Sequence, residues 1–249
     1  MRGRLAWRVA TVTALREETA TARTLVLKVP GWPGHDAGQH VDVRLTAPDG
    51  YTAVRSYSIA SSGLAADAEL IELTVDRVPD GEVSPYLTQI ISVGDPLELR
   101  GPLGGWFVWR PAQQEPVQLV AGGSGLVPLM AMLRARADAG SQAPFRLLYS
   151  VRRPESILYA GEVDRLGDGN GLAVTYAFTR VAPPGSARPP GRLDAALVAE
   201  SAWPVDTVPT CYVCGPTPFV EAAADLLIDA GHDPARIRTE RFGPTGGTS

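Results

Sequence analysis

The period of the hydrophobic residues changes once along this chain, near residue 110, and no other feature constrains the architecture as strongly. Before it, apolar and polar residues alternate in short runs over 5–15, 24–29 and 41–45, with further strand patterns at 56–60, 69–75 and 96–100. A period of two sends successive side chains to opposite faces of a strand. The runs are separated by Pro30-Gly31-Trp32-Pro33-Gly34, Pro48-Asp49-Gly50, Pro79-Asp80-Gly81 and Gly94-Asp95-Pro96. Short strands at this spacing predict a small antiparallel β-barrel. One short helix is expected over 84–91, with Ser84 as its cap and Pro85 at its first position.

A polar segment, Arg110-Pro111-Ala112-Gln113-Gln114-Glu115-Pro116, separates this half from a different pattern. Residues 117–121 form a wholly apolar strand, and Leu126, Leu129, Met130 and Leu133 then recur at helical spacing to about Ala139. Strands at 145–150, 172–178, 210–214 and 236–242 alternate with helices at 159–166, 193–200 and 216–230. That alternation specifies a parallel sheet with helices on its faces. The expected organisation is therefore a barrel domain over 1–112 and an α/β domain over 117–249, with 182–191 as an exposed loop.

Composition narrows the chemistry. The 249 residues are 45% hydrophobic and 20% charged, with a net charge of −4 and Lys28 as the sole lysine. An acidic balance without a basic run excludes a general nucleic-acid grip. No apolar stretch approaches the ~20 residues that cross a bilayer. Arg2 and Arg4 open the chain, but Arg8 interrupts any apolar leader core, so a cytoplasmic location is expected. Cys211 and Cys214 are spaced as in a redox dithiol, but they lie on a strand pattern where residues three apart face opposite ways. Two cysteines and three histidines are too few for an iron–sulfur cluster, and no metal site is expected.

Four segments carry candidate chemistry. In Gly122-Gly123-Ser124-Gly125-Leu126-Val127-Pro128, a strand meets a helix through a glycine turn, which exposes backbone N–H groups to a phosphate. Pro128 stands where a third glycine would complete GxGxxG, so a plain tight turn is the competing reading. Arginines, not an acid, follow the next strands: Arg152-Arg153, Phe178-Thr179-Arg180 and, past the proline-rich loop, Arg192. An acid there would hold a ribose 2′-hydroxyl; arginines suit the 2′-phosphate of NADP, or form a solvated basic rim. Arg55-Ser56-Tyr57-Ser58 offers a pyrophosphate partner, a short hydrogen-bonding tip and a flat aromatic face, and it also reads as an ordinary amphipathic strand. Gly81-Glu82-Val83-Ser84 leads into the expected helix and offers a second anion site.

Taken in order, these segments make the chain resemble the ferredoxin–NADP reductase family over nearly its whole length: Arg-x-Tyr-Ser at 55–58, Gly-x-x-Ser at 81–84, Gly-Gly-Ser-Gly at 122–125 and Cys-Gly-Pro at 214–216. The resemblance implies an antiparallel β-barrel FAD domain followed by an α/β parallel-sheet NAD(P)-binding domain. Arg55 with Gly81, Glu82, Val83 and Ser84 would bind the FAD pyrophosphate. Tyr57 would lie against the isoalloxazine, Ser58 near flavin N5, and Glu72, Leu73, Thr74 and Val75 on the strand beside it. Gly123, Ser124 and Pro128 would hold the coenzyme pyrophosphate. Arg152, Arg180 (after Thr179) and Arg192 would hold the NADPH 2′-phosphate, and Cys214, with Gly215 and Pro216, would approach the nicotinamide.

Glu240-Arg241-Phe242 matches the family's glutamate and terminal aromatic. It implies a proton relay at Glu240 and a flavin lid at Phe242, although residues 243–249 follow. The implied activity is hydride transfer from NADPH to FAD, then single electrons to a separate acceptor such as ferredoxin, flavodoxin or a partner oxidase. A free flavin or quinone reductase, and an electron-transfer subunit of a larger complex, are the alternatives. Trp106, Phe107 and Trp109 would serve the subunit's interface, or else pack an inter-domain seam or the FAD adenine.

Overall fold

The computed structural model describes residues 6–167 and 171–243. Leu5, the arginines at 2 and 4, and the tail after Gly243 lie outside that set. The described chain divides into two compact units: 6–110 together with Met130–Ala139, and Pro111–Leu129 together with the described residues from Gly140 onward.

In the first unit, β1 (Arg8–Glu17), β2 (Ala22–Lys28), β3 (His40–Thr46), β4 (Thr52–Ser58), β5 (Leu70–Asp76) and β6 (Pro96–Leu103) pair antiparallel in the order β4-β3-β6-β1-β2-β5. Alternation does the folding work, because Val12, Leu25, Leu27, Val41, Val43, Ile71, Leu73, Leu97 and Leu99 all point into one core. Curling brings the two edge strands together just past the end of β4. There Ile59 bridges Leu73, and the Ala60 N–H donates to the Glu72 carbonyl at 2.7 Å.

The helix expected over 84–91 is present at 84–90, and its residues Tyr86–Ile90 form a π turn. The Ser84 hydroxyl accepts the Val78 N–H (3.0 Å) in place of the expected cap. Leu87 and Ile91 anchor the turn in the barrel core. Of the aromatic group after β6, Trp106 is exposed, whereas Phe107 and Trp109 are buried.

In the second unit, β7 (Val117–Gly122), β8 (Phe145–Val151), β9 (Leu172–Phe178), β10 (Thr210–Pro216) and β11 (Ile237–Phe242) form a sheet ordered β11-β10-β7-β8-β9, every neighbouring pair parallel. Helices α1 (Leu126–Asp138), α2 (Ala160–Gly167), α3 (Ala195–Ser201) and α4 (Thr217–Asp229) connect the strands. The chain starts at the central strand β7, runs outward through β8 and β9, then crosses back to β10. The strand order therefore reverses between β7 and β10, the point where open α/β sheets bind ligands.

Helix α1 departs from the amphipathic pattern. Val127, Pro128, Ala131, Met132 and Ala135 are buried along with the expected face, so a helix hidden on nearly all sides replaces a half-exposed one. Its second half groups with the barrel, where Arg134 donates to Glu72 (2.9 Å) and to the Ala60 carbonyl (2.9 Å). Among the described residues no helix is long and apolar enough to cross a membrane.

One buried contact makes barrel stability depend on pH. Trp32 Nε1 donates to His35 Nδ1 (3.1 Å), so the ring's proton sits on Nε2, which faces the Ser61 carbonyl at 3.1 Å. Burial lowers the His35 pKa, against smaller opposing effects of Ser61 and Asp36. The unfolded ring takes its proton near pH 6.5, while the folded ring resists it. The stabilisation is thus complete above about pH 6.5 and is lost as pH falls toward the folded value. Melting temperature should drop between pH 7 and pH 5, and His35→Gln should flatten that slope; an unchanged slope contradicts the assignment.

Candidate functional site

The gap between β4 and β5 is the first candidate site. Arg55 and Tyr57 sit opposite Val43 and Val41 of β3, so their side chains share the core-facing side of the barrel. Tyr57 packs against that core, and burial pushes its phenol up to about 12. Arg55 reaches outward, donating to the Val54 carbonyl (2.8 Å) and to Glu82 (2.7 Å). Glu82 also accepts the Tyr51 hydroxyl at 2.8 Å. Ser56 lies on the other face, its hydroxyl committed to Asp42 (2.7 Å), and so does not join Arg55 and Tyr57. Burial disfavours the Asp42 charge, but Arg100 and Ser56 outweigh it and hold the carboxyl below its usual range. Ser58 is half-buried where β4 ends beside the Ile59 bridge.

Across the gap, every side chain expected at a flavin strand is already engaged. Glu72 accepts Arg16 (2.8 Å) and Arg134 (2.9 Å), Leu73 and Val75 are core, and Thr74 shares a 2.6 Å hydrogen bond with Thr24. What faces the gap is backbone. Glu72 turns its N–H to Ser61 Oγ and its carbonyl to the Ala60 N–H. Alternation then puts the Thr74 and Asp76 amides on the same edge. An aromatic wall at Tyr57 and an amide edge on β5 suit a flat heterocycle with donors and acceptors along one side. In the loop that follows, Gly81 and Ser84 shape the turn and Val83 fills core. The short helical segment over 84–90 begins there, and Glu82 is the member of that motif that reaches Arg55.

The second site lies at the reversal point of the parallel sheet. Its glycines do different jobs. A Cβ on Gly122 or Gly215 would strike the Phe219 ring at 2.5 or 2.7 Å, and one on Gly125 would lie 2.1 Å from the Cys214 carbonyl oxygen. These three let the β7 turn press against the end of β10. Gly123 alone in the turn meets nothing within 4 Å, is exposed, and holds φ +54. Its backbone and half-buried Ser124 are the groups the turn offers a phosphate. Pro128 is buried in the first turn of α1, where its missing N–H costs no helix bond.

Cys214 is fully buried, and burial with nearby Glu240 raises its thiol pKa well above normal. It is a neutral thiol rather than a nucleophile. Cys214 and Glu240 are register partners across β10 and β11, as are Pro216 and Phe242, both exposed. Among the described residues no group of three or more His, Cys, Asp or Glu could hold a metal ion.

The arginines converge at the carboxyl ends of β8 and β9. The Arg180 N–H donates to the Arg152 carbonyl (3.0 Å), and the Gly191 N–H to the Phe178 carbonyl (2.9 Å), which brings Arg192 beside Thr179. Arg152, Arg180 and Arg192 are exposed, and none forms a side-chain ion pair with the described residues. Such a cluster is a ready anion site. Three features of these sites escaped the sequence pattern: the Ile59–Leu73 closure, the Glu82–Arg55 pair and the split among the glycines.

Comparison with known proteins agrees with this division. Residues 8–108 match the model of an oxidoreductase FAD-binding domain, and residues 119–225 that of an oxidoreductase NAD-binding domain. The chain is 31% identical over 246 residues to the ferredoxin–NAD(P)(+) reductase component of naphthalene 1,2-dioxygenase/salicylate 5-hydroxylase systems from a Ralstonia species, with 95% of this chain and 69% of that protein covered. It is 31% identical over 206 residues to the toluate 1,2-dioxygenase electron transfer component of Pseudomonas putida, covering 82% of this chain and 58% of that one. The chain thus spans less than two thirds of some of these relatives. Among solved structures, the FAD/NAD-binding domain of a Vibrio cholerae nitric oxide dioxygenase superposes with a TM-score of 0.84 at 26% identity, covering 95% of this chain and 99% of that one. The Amycolatopsis cytochrome P450 reductase GcoB gives 0.82 at 27% identity, covering 97% and 71%. The chain is an FAD- and NAD(P)-binding oxidoreductase.

The split among the glycines is testable. Overpacking costs roughly 1–3 kcal/mol, and each kcal/mol moves the melting temperature of a chain this size by about 2–4 °C. Gly125→Ala, which drives a methyl into backbone, should lower the melting temperature by roughly 5–10 °C or more. Gly123→Ala, strained only by its positive φ, should cost about 2–5 °C. Equal melting of the two variants would contradict the assignment.

Proposed function

This chain belongs to the ferredoxin–NADP reductase family, and from that premise we propose that it catalyses electron transfer from NADPH through FAD to a separate redox partner. The observation that carries the choice of NADPH is the group of exposed arginines at the ends of β8 and β9, Arg152, Arg180 and Arg192, which have no ion pair among the described residues. When bound, FAD supplies the conversion between a two-electron hydride donor and a one-electron acceptor.

The chain's own residues bind and orient. Arg55 holds the flavin pyrophosphate, Tyr57 packs against the ring system, and Ser58 stands near its reactive edge. The backbone amides of Thr74 and Asp76 read the ring's polar side. In the α/β unit, Gly123 and Ser124 cradle the coenzyme pyrophosphate, with Pro128 ordering the first turn behind them and Gly215 and Pro216 closing the far wall. Thr179, Arg180, Arg192 and Arg152 take the 2′-phosphate. Cys214, kept protonated by burial, gives the nicotinamide a compact apolar neighbour, and Glu240, its register partner on β11, is the group placed to relay a proton. Phe242, exposed at the end of β11, is the aromatic cover. Orientation supplies most of the rate, since hydride transfer needs close, aligned approach more than acid–base help.

The acceptor is a separate redox protein: a ferredoxin, a flavodoxin or the oxygenase component that a reductase of this kind serves. The support is the similarity to reductase and electron-transfer components of dioxygenase systems.

Two measurements test this reading. Rapid mixing of the FAD-loaded chain with NADPH should bleach the flavin absorbance; a chain that takes up no FAD, or a band that does not respond, refutes it. Charge-assisted hydrogen bonds contribute roughly 1.5–3 kcal/mol each. Arg180→Ala with Arg192→Ala should therefore raise KM for NADPH by about 100-fold or more and leave NADH nearly unchanged, whereas equal loss for both coenzymes removes the 2′-phosphate assignment.

A further inference from the structure

We propose that Glu82 is an internal competitor for the flavin pyrophosphate, its carboxylate occupying on Arg55 the place a phosphate oxygen would take and thereby setting how tightly FAD is held. The inference rests on the reading of Arg55 as the pyrophosphate residue, and it concerns a side chain to which the family pattern assigns no opposing role.

Three segments build the arrangement. Arg55 comes from edge strand β4, Tyr51 from the turn before it, and Glu82 from the loop after β5. Glu82 Oε2 accepts Arg55 Nη2 at 2.7 Å, and Glu82 Oε1 accepts the Tyr51 hydroxyl at 2.8 Å. Arg55 Nη1 is bound to the Val54 carbonyl at 2.8 Å. Both carboxylate oxygens are therefore engaged, and one N–H on each of Nη1 and Nη2 of Arg55 is given to a neighbour. Carboxylate and phosphate oxygens offer a guanidinium the same acceptor geometry, so the Glu82 carboxylate sits where a phosphate oxygen would dock and the two negative groups compete for the same side of Arg55.

Exposure makes the exchange feasible. The Arg55 and Glu82 side chains are 53% and 48% exposed, and solvated ion pairs of this kind are weak. A pyrophosphate can displace the carboxylate, but the displaced Glu82 stays tethered beside it by Tyr51. Repulsion between a single negative charge and a doubly charged pyrophosphate about 5 Å away weakens binding by about tenfold even in water. Arg152, Arg180 and Arg192, at the ends of β8 and β9, carry no such ion pair among the described residues, although Arg188, Arg236 and Arg241 of the same unit do. The flavin site is thus partly masked while the coenzyme site is open.

The test is fluorescence-quench titration of the flavin-stripped full chain with FAD and, separately, with riboflavin, which lacks phosphate. Glu82→Gln keeps the shape and removes the charge. It should tighten FAD by about tenfold, leave riboflavin unchanged, and give no gain when Arg55→Ala is already present. Unchanged or weaker FAD binding by Glu82→Gln, or an equal gain for riboflavin, overturns the inference while leaving Arg55 as the pyrophosphate residue. If Arg55→Ala does not weaken FAD binding, the underlying assignment falls, and the inference with it.

Discussion

The barrel's edge strands meet at one place, and much of the first unit's chemistry follows from how little they pair. An antiparallel sheet of six strands has two edges with unsatisfied amides, which proteins must close, cover or use. Here Ile59 and Leu73 close the sheet, the Ala60–Glu72 hydrogen bond secures the closure, and the strands diverge beyond it. Divergence leaves the Arg55 and Tyr57 side chains facing a β5 edge whose own side chains are buried or paired. A fully zipped barrel would have no gap to offer. A more open one would lose the core residues that hold Tyr57 in place.

The second unit solves a related problem by close approach. Reversing direction between β7 and β10 creates a crevice, and its walls can meet only where side chains are absent. Gly122, Gly125 and Gly215 provide that absence, which leaves Gly123 to face outward. Next to it, the strand-end arginines remain without carboxylate partners among the described residues. In the barrel, by contrast, nearly every arginine with a partner is matched to an acid, as in Arg44–Glu98, Arg100–Asp42 and Arg134–Glu72.

Much of this was legible in the residues themselves. Periods of two and 3.6 gave the strands and helices with small shifts at their ends, and the arginines after β8 and β9 were visible because strand ends are. Contacts between distant segments were not. Nothing local pairs Ile59 with Leu73 or Arg55 with Glu82. The packing role of Gly125 depends on Cys214, nearly ninety residues later. The helix expected at 84–91 forms over 84–90, but Ser84 accepts the Val78 N–H in place of capping it, a local competition that the pattern does not show. For α1, Val127, Ala131 and Met132 looked like the off-face of an amphipathic helix, but burial from more than one side is a tertiary fact. Ser56 sat in the right motif and on the wrong face for it.

The shared helix also bears on synthesis. Segment Met130–Ala139 groups with the barrel, supplying Arg134 to Glu72 and Asp138 to Ser62. Those residues leave the ribosome only after the linker and the first strand of the next unit. At elongation rates of about 5–20 residues per second, the barrel waits on the order of a second or more for its last pieces. A nascent chain paused just beyond residue 110 would carry a barrel with Glu72 still lacking Arg134 and Ser62 still lacking Asp138. The order of translation thus makes completion of the front half depend on the start of the back half.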